Sequence, residues 1–332
     1  MLRTALAGFA LFWSCAVPAA AQPYHVDVAL GDVSLQKVPY IIAADAGIYA
    51  KNGLDVHQFI TPRAARAVEG IGIHVPAEYI GKEHQSAPIE VGGGAPLIYS
   101  AGQPGTPPHR IIVATDENIV RDHIITRSDI RTEQGLKGKT LASSFHNVTG
   151  YDGVVYLRRI GLSDKVTIVE AADLEALKAG KVDAVMATLF MTAKAQEEGL
   201  NDLADLSKYH IAEPGSGISV DAQFLSANRD VVARFVKASV EATARMKKDK
   251  VIFAATLAKW FNVTDPKMVD RLFAMAQGFP DKPYPSVEGI KTALDVFSSP
   301  ILQKAKPEEF YDNSFIAALD KDGTLDRLAK TP

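Results

Sequence analysis

Residues 41–56 read Ile-Ile-Ala-Ala-Asp-Ala-Gly-Ile-Tyr-Ala-Lys-Asn-Gly-Leu-Asp-Val. Ile41, Ile42, Ala46 and Tyr49 lay one apolar stripe along a helix over Pro39–Asn52. Gly53 follows where a helix closes in the left-handed region, a conformation glycine adopts without a Cβ clash. Leu54–Phe59 then reads as a strand, and upstream Val26, Val28 and Leu30 alternate with polar neighbours, which makes His25–Leu30 another. Strand, helix and strand in that order form the crossover unit that parallel pairing requires.

Working outward, Ile89–Val91, Arg110–Ala114, Thr140–Ala142, Val166–Glu170 and Val182–Ala187 read as further strands with helical segments between most of them. That alternation predicts an α/β chain whose mainly parallel sheets are wound by helices. Thr61 before Pro62 marks a helix start, the hydroxyl capping free amides and the proline pre-set for the first turn. Thr149–Ile160 reads as a helix opened by Thr149 with Asp152, carried by Val154, Leu157 and Ile160, and stopped at Gly161. Beyond Asn228 the pattern turns helical over Asp230–Lys247, Val251–Asn262, Pro266–Gln277 and Ser286–Phe297, punctuated by Pro266, Pro280, Pro283 and Pro285.

At the start, Arg3 leads an apolar run from Ala5 to Trp13 that ends in Ala19-Ala20-Ala21. This is the pattern of a secretory signal peptide over residues 1–21, too short to span a bilayer. Lipid anchoring at Cys15 is disfavoured by the bulky Phe12 and Trp13 before it. Cys15 is the single cysteine, so an exported chain has no disulfide, thiolate metal site or cysteine nucleophile. Without Arg3 the 36 Lys and Arg become 35 against 39 Asp and Glu, a net −4 spread along the chain, which gives no footprint for a nucleic acid. A chain of this length buries enough apolar surface for two lobes without disulfides.

Three blocks carry a family resemblance. The first is Ile41–Val56. The second runs from Ile124 to Leu162 through Ser128-Asp129-Ile130, Leu136-Lys137-Gly138-Lys139-Thr140 and Tyr156-Leu157-Arg158-Arg159-Ile160-Gly161-Leu162; the third runs from Leu177 to Leu200 through Gly180-Lys181-Val182-Asp183-Ala184 and Glu198-Gly199-Leu200. Phe279–Tyr284 with Ser286 and Glu288 extends the likeness into the helical region. The order and spacing resemble the substrate-binding proteins of nitrate, sulfonate and taurine ABC importers, a family that shares its frame with thiamin-pyrimidine enzymes. The resemblance implies a two-lobed, type II-like periplasmic binding fold with helices at the C-terminal end. Residues 22–115 with 222–332 would form one lobe and 116–221 the other, crossing near Ala114–Asp122 and Gly215–Asp221. It also implies a monomeric periplasmic receptor that holds one small polar or anionic solute, uses no cofactor, and passes the solute to a membrane permease with its ATPase. An aromatic or heterocyclic solute such as a pyrimidine, or a sensing role, are the alternatives. One departure stands out: Gly70–Ala87, with His74, Pro76, Tyr79 and His84, is inserted after the second helix and reads as a surface loop rather than a lid.

In open parallel sheets, strand ends and helix starts face a common crevice where unpaired amides attract anions. Ser143-Ser144-Phe145-His146-Asn147-Val148-Thr149 is the first candidate wall, with Ser143, Ser144 and Thr149 as ligand donors; plain capping needs only Thr149. Gly92-Gly93-Gly94-Ala95-Pro96 faces it, with Gly94 and Ala95 offering close backbone approach, and lacks the Lys-Ser or Lys-Thr of a nucleotide loop. Gln36 and Lys37 with Ser34, Arg63 with Thr61, Thr188 with Phe190, and Ser219 complete the set. Lys37 and Arg63 are the cations that would match a buried anion, unless they are ordinary surface charges. Tyr40, Phe145 and Phe190 suit either stacking or core packing. Catalysis finds no serine elbow and no paired histidines, and His74 and His84 with Glu78 and Glu83 lack metal-ligand spacing, so neither an enzyme nor a metal site is expected.

Overall fold

The computed structural model describes residues 22–105, 109–143, 148–170 and 174–330, without the side chains of Val148 and Thr149. The signal-peptide reading, Cys15 and the Ser144–Asn147 part of the expected crevice wall lie outside the described residues. The strands are β1 Tyr24–Leu30, β2 Leu54–Ile60, β3 Ile89–Gly93, β4 Arg110–Thr115, β5 His123–Thr126, β6 Thr140–Ala142, β7 Thr167–Val169, β8 Ala184–Ala187, β9 Asn201–Asp205 and β10 Ser216–Asp221. They form two sheets, β2-β1-β3-β10-β4 and β7-β6-β8-β5-β9.

The parallel pairing expected from the alternating pattern holds for β1 with β2 and β3, and for β6 with β7 and β8. β10 and β5 instead run antiparallel to both their neighbours. Each is the first strand after the chain changes sheet. It therefore runs opposite to the neighbouring strands that are followed by crossover helices. β10 belongs to the first sheet, which moves the return crossing to residues 206–215 and corrects the boundary expected at 221.

Local chemistry explains most element ends. Gly53 and Gly161 close their helices at φ 70°. The helix expected over Pro39–Asn52 is two pieces, Val38–Asp45 and Ile48–Lys51, because Gly47 turns left-handed at φ 68°. The C-terminal helices Arg229–Lys248, Lys250–Phe261, Pro266–Ala276 and Val287–Phe297 fall within a residue or so of their expected bounds, with Asp249, Asp265 and Ser286 accepting from amides of the first turn. Thr61 Oγ1 accepts from Ala64 N at 3.4 Å and Pro62 opens the helix Pro62–Ala67. Replacing Thr61 by Ala should cost about 1 kcal/mol of unfolding free energy in a urea titration, the ordinary worth of such a cap.

The first sheet is covered by Val38–Asp45, Arg229–Lys248 and Lys250–Phe261, where Tyr40, Tyr49, Phe235, Phe253 and Phe261 are buried. Leu189 and Phe190, on the helix Leu189–Glu197 that follows β8, join this same core, and Phe190 meets the Phe261 ring edge-on at 5.6 Å. The two halves are therefore in apolar contact on this side. The inserted segment is pinned to the first sheet's side: Ile71 and Ile73 are buried, Gly81 N donates to Ile60 O at 2.9 Å, and Tyr79 stacks on Trp260 at 3.9 Å. Its first turn, Glu69–Ile71, also packs against the helix Leu174–Lys178 of the second half. Among the described residues no helix is long and apolar enough to cross a membrane.

Candidate functional site

Two chain segments link the sheets, residues 116–122 outbound and 206–215 on return. They run side by side: Val120 N donates to Ile211 O at 2.9 Å, Glu213 N to Asn118 O at 3.1 Å, and Asp116 N to Ser216 O at 2.6 Å. The approach is close enough to need glycine. A Cβ on Gly215 would sit 2.0 Å from Glu117 O and one on Gly289 2.2 Å from Glu213 O. Tyr151 OH, from the helix Val148–Arg159, donates to Ala212 O at 2.9 Å, and Arg121 Nη2 donates to Met275 O at 2.7 Å.

Charged side chains converge on this junction from both halves. After β1, Lys37 is fully buried; its Nζ lies 2.6 Å from Asp32 Oδ2 and donates to Ser216 Oγ at 3.1 Å. Gln36 Nε2 donates to Glu117 Oε2 at 2.8 Å, and Tyr40 OH to Asp116 Oδ2 at 2.9 Å. Asp116, Glu117, Asp122, Asp152 and Glu213 are all buried. The Asp122 and Asp152 carboxyls share a hydrogen bond, and beyond it Asp122 Oδ2, Asp152 Oδ1, Glu213 Oε1 and Arg121 Nη1 have no partner. Burial pushes the Asp116 carboxyl up to about 8, against the pull of Tyr40 and Lys37. Burial and then the neighbouring Glu117 push Asp122 up to about 8 as well. Glu117, Asp152 and Glu213 are raised too, each first by burial; the Asp152 and Glu213 carboxyls lie well above the carboxylate range, Asp152 next through Glu213 and Glu213 next through Glu117.

The residues expected from the sequence fare unevenly. Gln36 and Lys37 lie in this junction, but Lys37 is already matched by Asp32. Gly94 lies beside the return crossing, its N–H spent on Gly215 O at 2.6 Å, and Ala95 is packed in the core. Ser143 is buried at the end of β6, its N–H donating to Val169 O at 3.0 Å. Ser144 and the Thr149 side chain lie outside the described residues. Thr188 is half-buried at the start of Leu189–Glu197 without capping it, and Arg63 is exposed. Ser219 sits inside β10, donating to Glu90 O at 3.4 Å; the serine that meets Lys37 is Ser216. Phe190 is core, and Tyr40 serves Asp116.

Sequence reading missed the carboxyls. Asp116, Glu117 and Asp122 put three acids in seven residues of the outbound crossing, and in sequence Asp152 stands as a helix-start partner of Thr149. Buried and with Oδ1 unpartnered, Asp152 faces the junction instead.

A family model described as NMT1/THI5 like matches residues 34–250, more than half of the chain. The chain belongs to this NMT1/THI5-like family. A curated relative, a putative ABC transporter periplasmic binding protein of Brachyspira hyodysenteriae, is 25% identical over 160 residues; the match takes in 47% of this chain and 45% of that protein, so the chain spans under half of the relative's length. Among solved structures, the alkanesulfonate-binding protein SsuA of Xanthomonas axonopodis pv. citri, bound to MOPS, aligns with TM-score 0.61 at 17% identity, over 83% of this chain and 92% of that one. The periplasmic nitrate-binding protein NrtA of Synechocystis PCC 6803 aligns with TM-score 0.66 at 12% identity, over 93% and 91%. A DSZB mutant in complex with biphenyl-2-sulfinic acid aligns with TM-score 0.60 at 15% identity, over 89% and 99%. At these identities the likeness establishes the periplasmic binding protein fold alone.

Proposed function

We propose that this NMT1/THI5-like chain is a periplasmic solute receptor of an ABC-type importer, exported by residues 1–21 and acting as a monomer. It captures one small polar organic solute in the crevice between its sheets and hands it to a membrane permease driven by a separate ATPase. Residues 22–115 with 216–332 act as one lobe and 116–215 as the other, closing about the paired crossings. The observation that supports this reading is the junction itself: polar side chains from both halves and both crossings meet between the two sheets, where a solute would join the halves. Family membership and relatives named as periplasmic binding proteins support it.

No chemistry is assigned to the chain. After Cys15 it holds no cysteine, and the buried carboxyls are held neutral first by burial and then by one another. A thermal-shift screen of the mature protein against nitrate, taurine, alkyl and aryl sulfonates, aromatic carboxylates, pyrimidines, riboflavin and small amines tests the proposal. A specific solute at 100 times its Kd should stabilise by about 2.7 kcal/mol. A solute that is chemically converted during the assay, or a panel on which nothing stabilises, would contradict it.

A further inference from the structure

Resting on the receptor reading, we infer that the solute is an organic cation, an amine, amidine or guanidine, taken up by the carboxyls of the junction. Asp116, Glu117 and Asp122 come from the outbound crossing, Glu213 from the return, Asp152 from the second half and Asp32 from the first. Facing them are two cations. Lys37 is held by Asp32, and Arg121 sends Nη2 to Met275 O and stacks its guanidinium over Phe279 at 5.6 Å. Three carboxyl oxygens on separate segments, Asp122 Oδ2, Asp152 Oδ1 and Glu213 Oε1, have no partner outside the carboxyl set, in which Asp122 and Asp152 share a hydrogen bond, and all three side chains are more than nine-tenths buried. Buried acceptors without donors are costly, and such groups in a native protein call for an occupant.

The occupant's chemistry follows from the set. An anion would face five buried carboxyls and find Lys37 already neutralised, with only Arg121 Nη1 left to meet it, so a sulfonate or nitrate is poorly matched here. A bare metal ion is poorly matched too, since no three described His, Cys, Asp or Glu are grouped to ligate one. A cation with several N–H donors spread over a few ångströms reaches the separated oxygens and takes the place of the protons they hold. Raised carboxyl affinities for protons at Asp122, Asp152 and Glu213 fit a site that holds protons when empty and exchanges them for a cation.

Isothermal titration of the mature chain at pH 7.5, run in phosphate and in Tris with agmatine, putrescine, benzamidine, nitrate and methanesulfonate, tests this. At least one amine probe should bind about tenfold or more tightly than either anion. Its apparent enthalpy should differ between the two buffers because protons leave the junction. Glu213→Gln and Asp152→Asn, which keep shape and remove buried charge, should each weaken that amine by about tenfold or more while retaining the native circular dichroism spectrum. Binding of an anion with the amines silent overturns the inference and leaves the receptor reading intact. Amine binding insensitive to both variants, or silence from every amine, also overturns it; the wider thermal-shift panel judges the receptor reading separately.

Discussion

Gly215→Ala should cost about 4 kcal/mol or more of stability, enough to leave little folded protein, because two independent penalties fall on one atom. At φ 84° the residue lies where an L side chain is strained, and the added Cβ would stand 2.0 Å from Glu117 O and 3.0 Å from Thr115 Cβ. Neither neighbour can retreat. Thr115 N is bonded to Pro283 O, Gly94 N holds Gly215 O, and Asp116 N holds Ser216 O. Gly72→Ala separates the two penalties, since Gly72 has φ 77° and nothing within 4 Å of the added atom. It should lose only about 1 kcal/mol. Urea titrations of both variants measure the difference, and equal losses would show that the crossings are not packed as described.

The second large effect is on pH. Asp116 and Asp122, each pushed up to about 8, keep their protons in the folded chain over a range where the unfolded chain has released them. The unfolded state therefore binds fewer protons between about pH 4 and 8, and stability falls as pH rises through that window. The contribution is whole below about pH 4 and gone above about pH 8, with a combined loss on the order of 5 kcal/mol for the interacting set. Carboxylates held low, such as Asp183, Asp202 and Asp320, act in the opposite sense at more acid pH and leave the upper window unchanged. Denaturant titrations at pH 5, 6, 7 and 8 should show a steady decline, and Glu213→Gln should flatten it. Stability that is level or rising over this range would contradict the buried-carboxyl account.

Legibility in the sequence followed the reach of local signals. The C-terminal helices stand almost where their prolines and caps put them, because Asp249, Asp265 and Ser286 act on amides within their own turns. β10 was invisible as a strand of the first sheet: Ser216–Asp221 has only Ile218 and Val220 as apolar positions, and its partners β3 and β4 lie about a hundred residues earlier in sequence. Gly47 broke a helix whose apolar stripe ran through it. At the site, Gln36 and Lys37 could be found from their place after β1, but Lys37, expected with Arg63 to match an anion, already has Asp32, five residues earlier, beside its charge. Glu213 gave no signal, since it meets Glu117, Asp122 and Asp152 only once both crossings are laid together. Convergence of like charges is a tertiary fact that no local pattern of residues carries.

The most direct test of the account is a crystal structure of the mature chain with its tightest-binding solute. One molecule seated between the two sheets is expected, with its nitrogen atoms about 2.7–3.2 Å from carboxyl oxygens of Glu213 or Asp152 and with Gln36 or Lys37 of the other half beside it. A solute lodged outside the crevice, or an anion seated on backbone amides with these carboxyls turned away from it, would contradict the account.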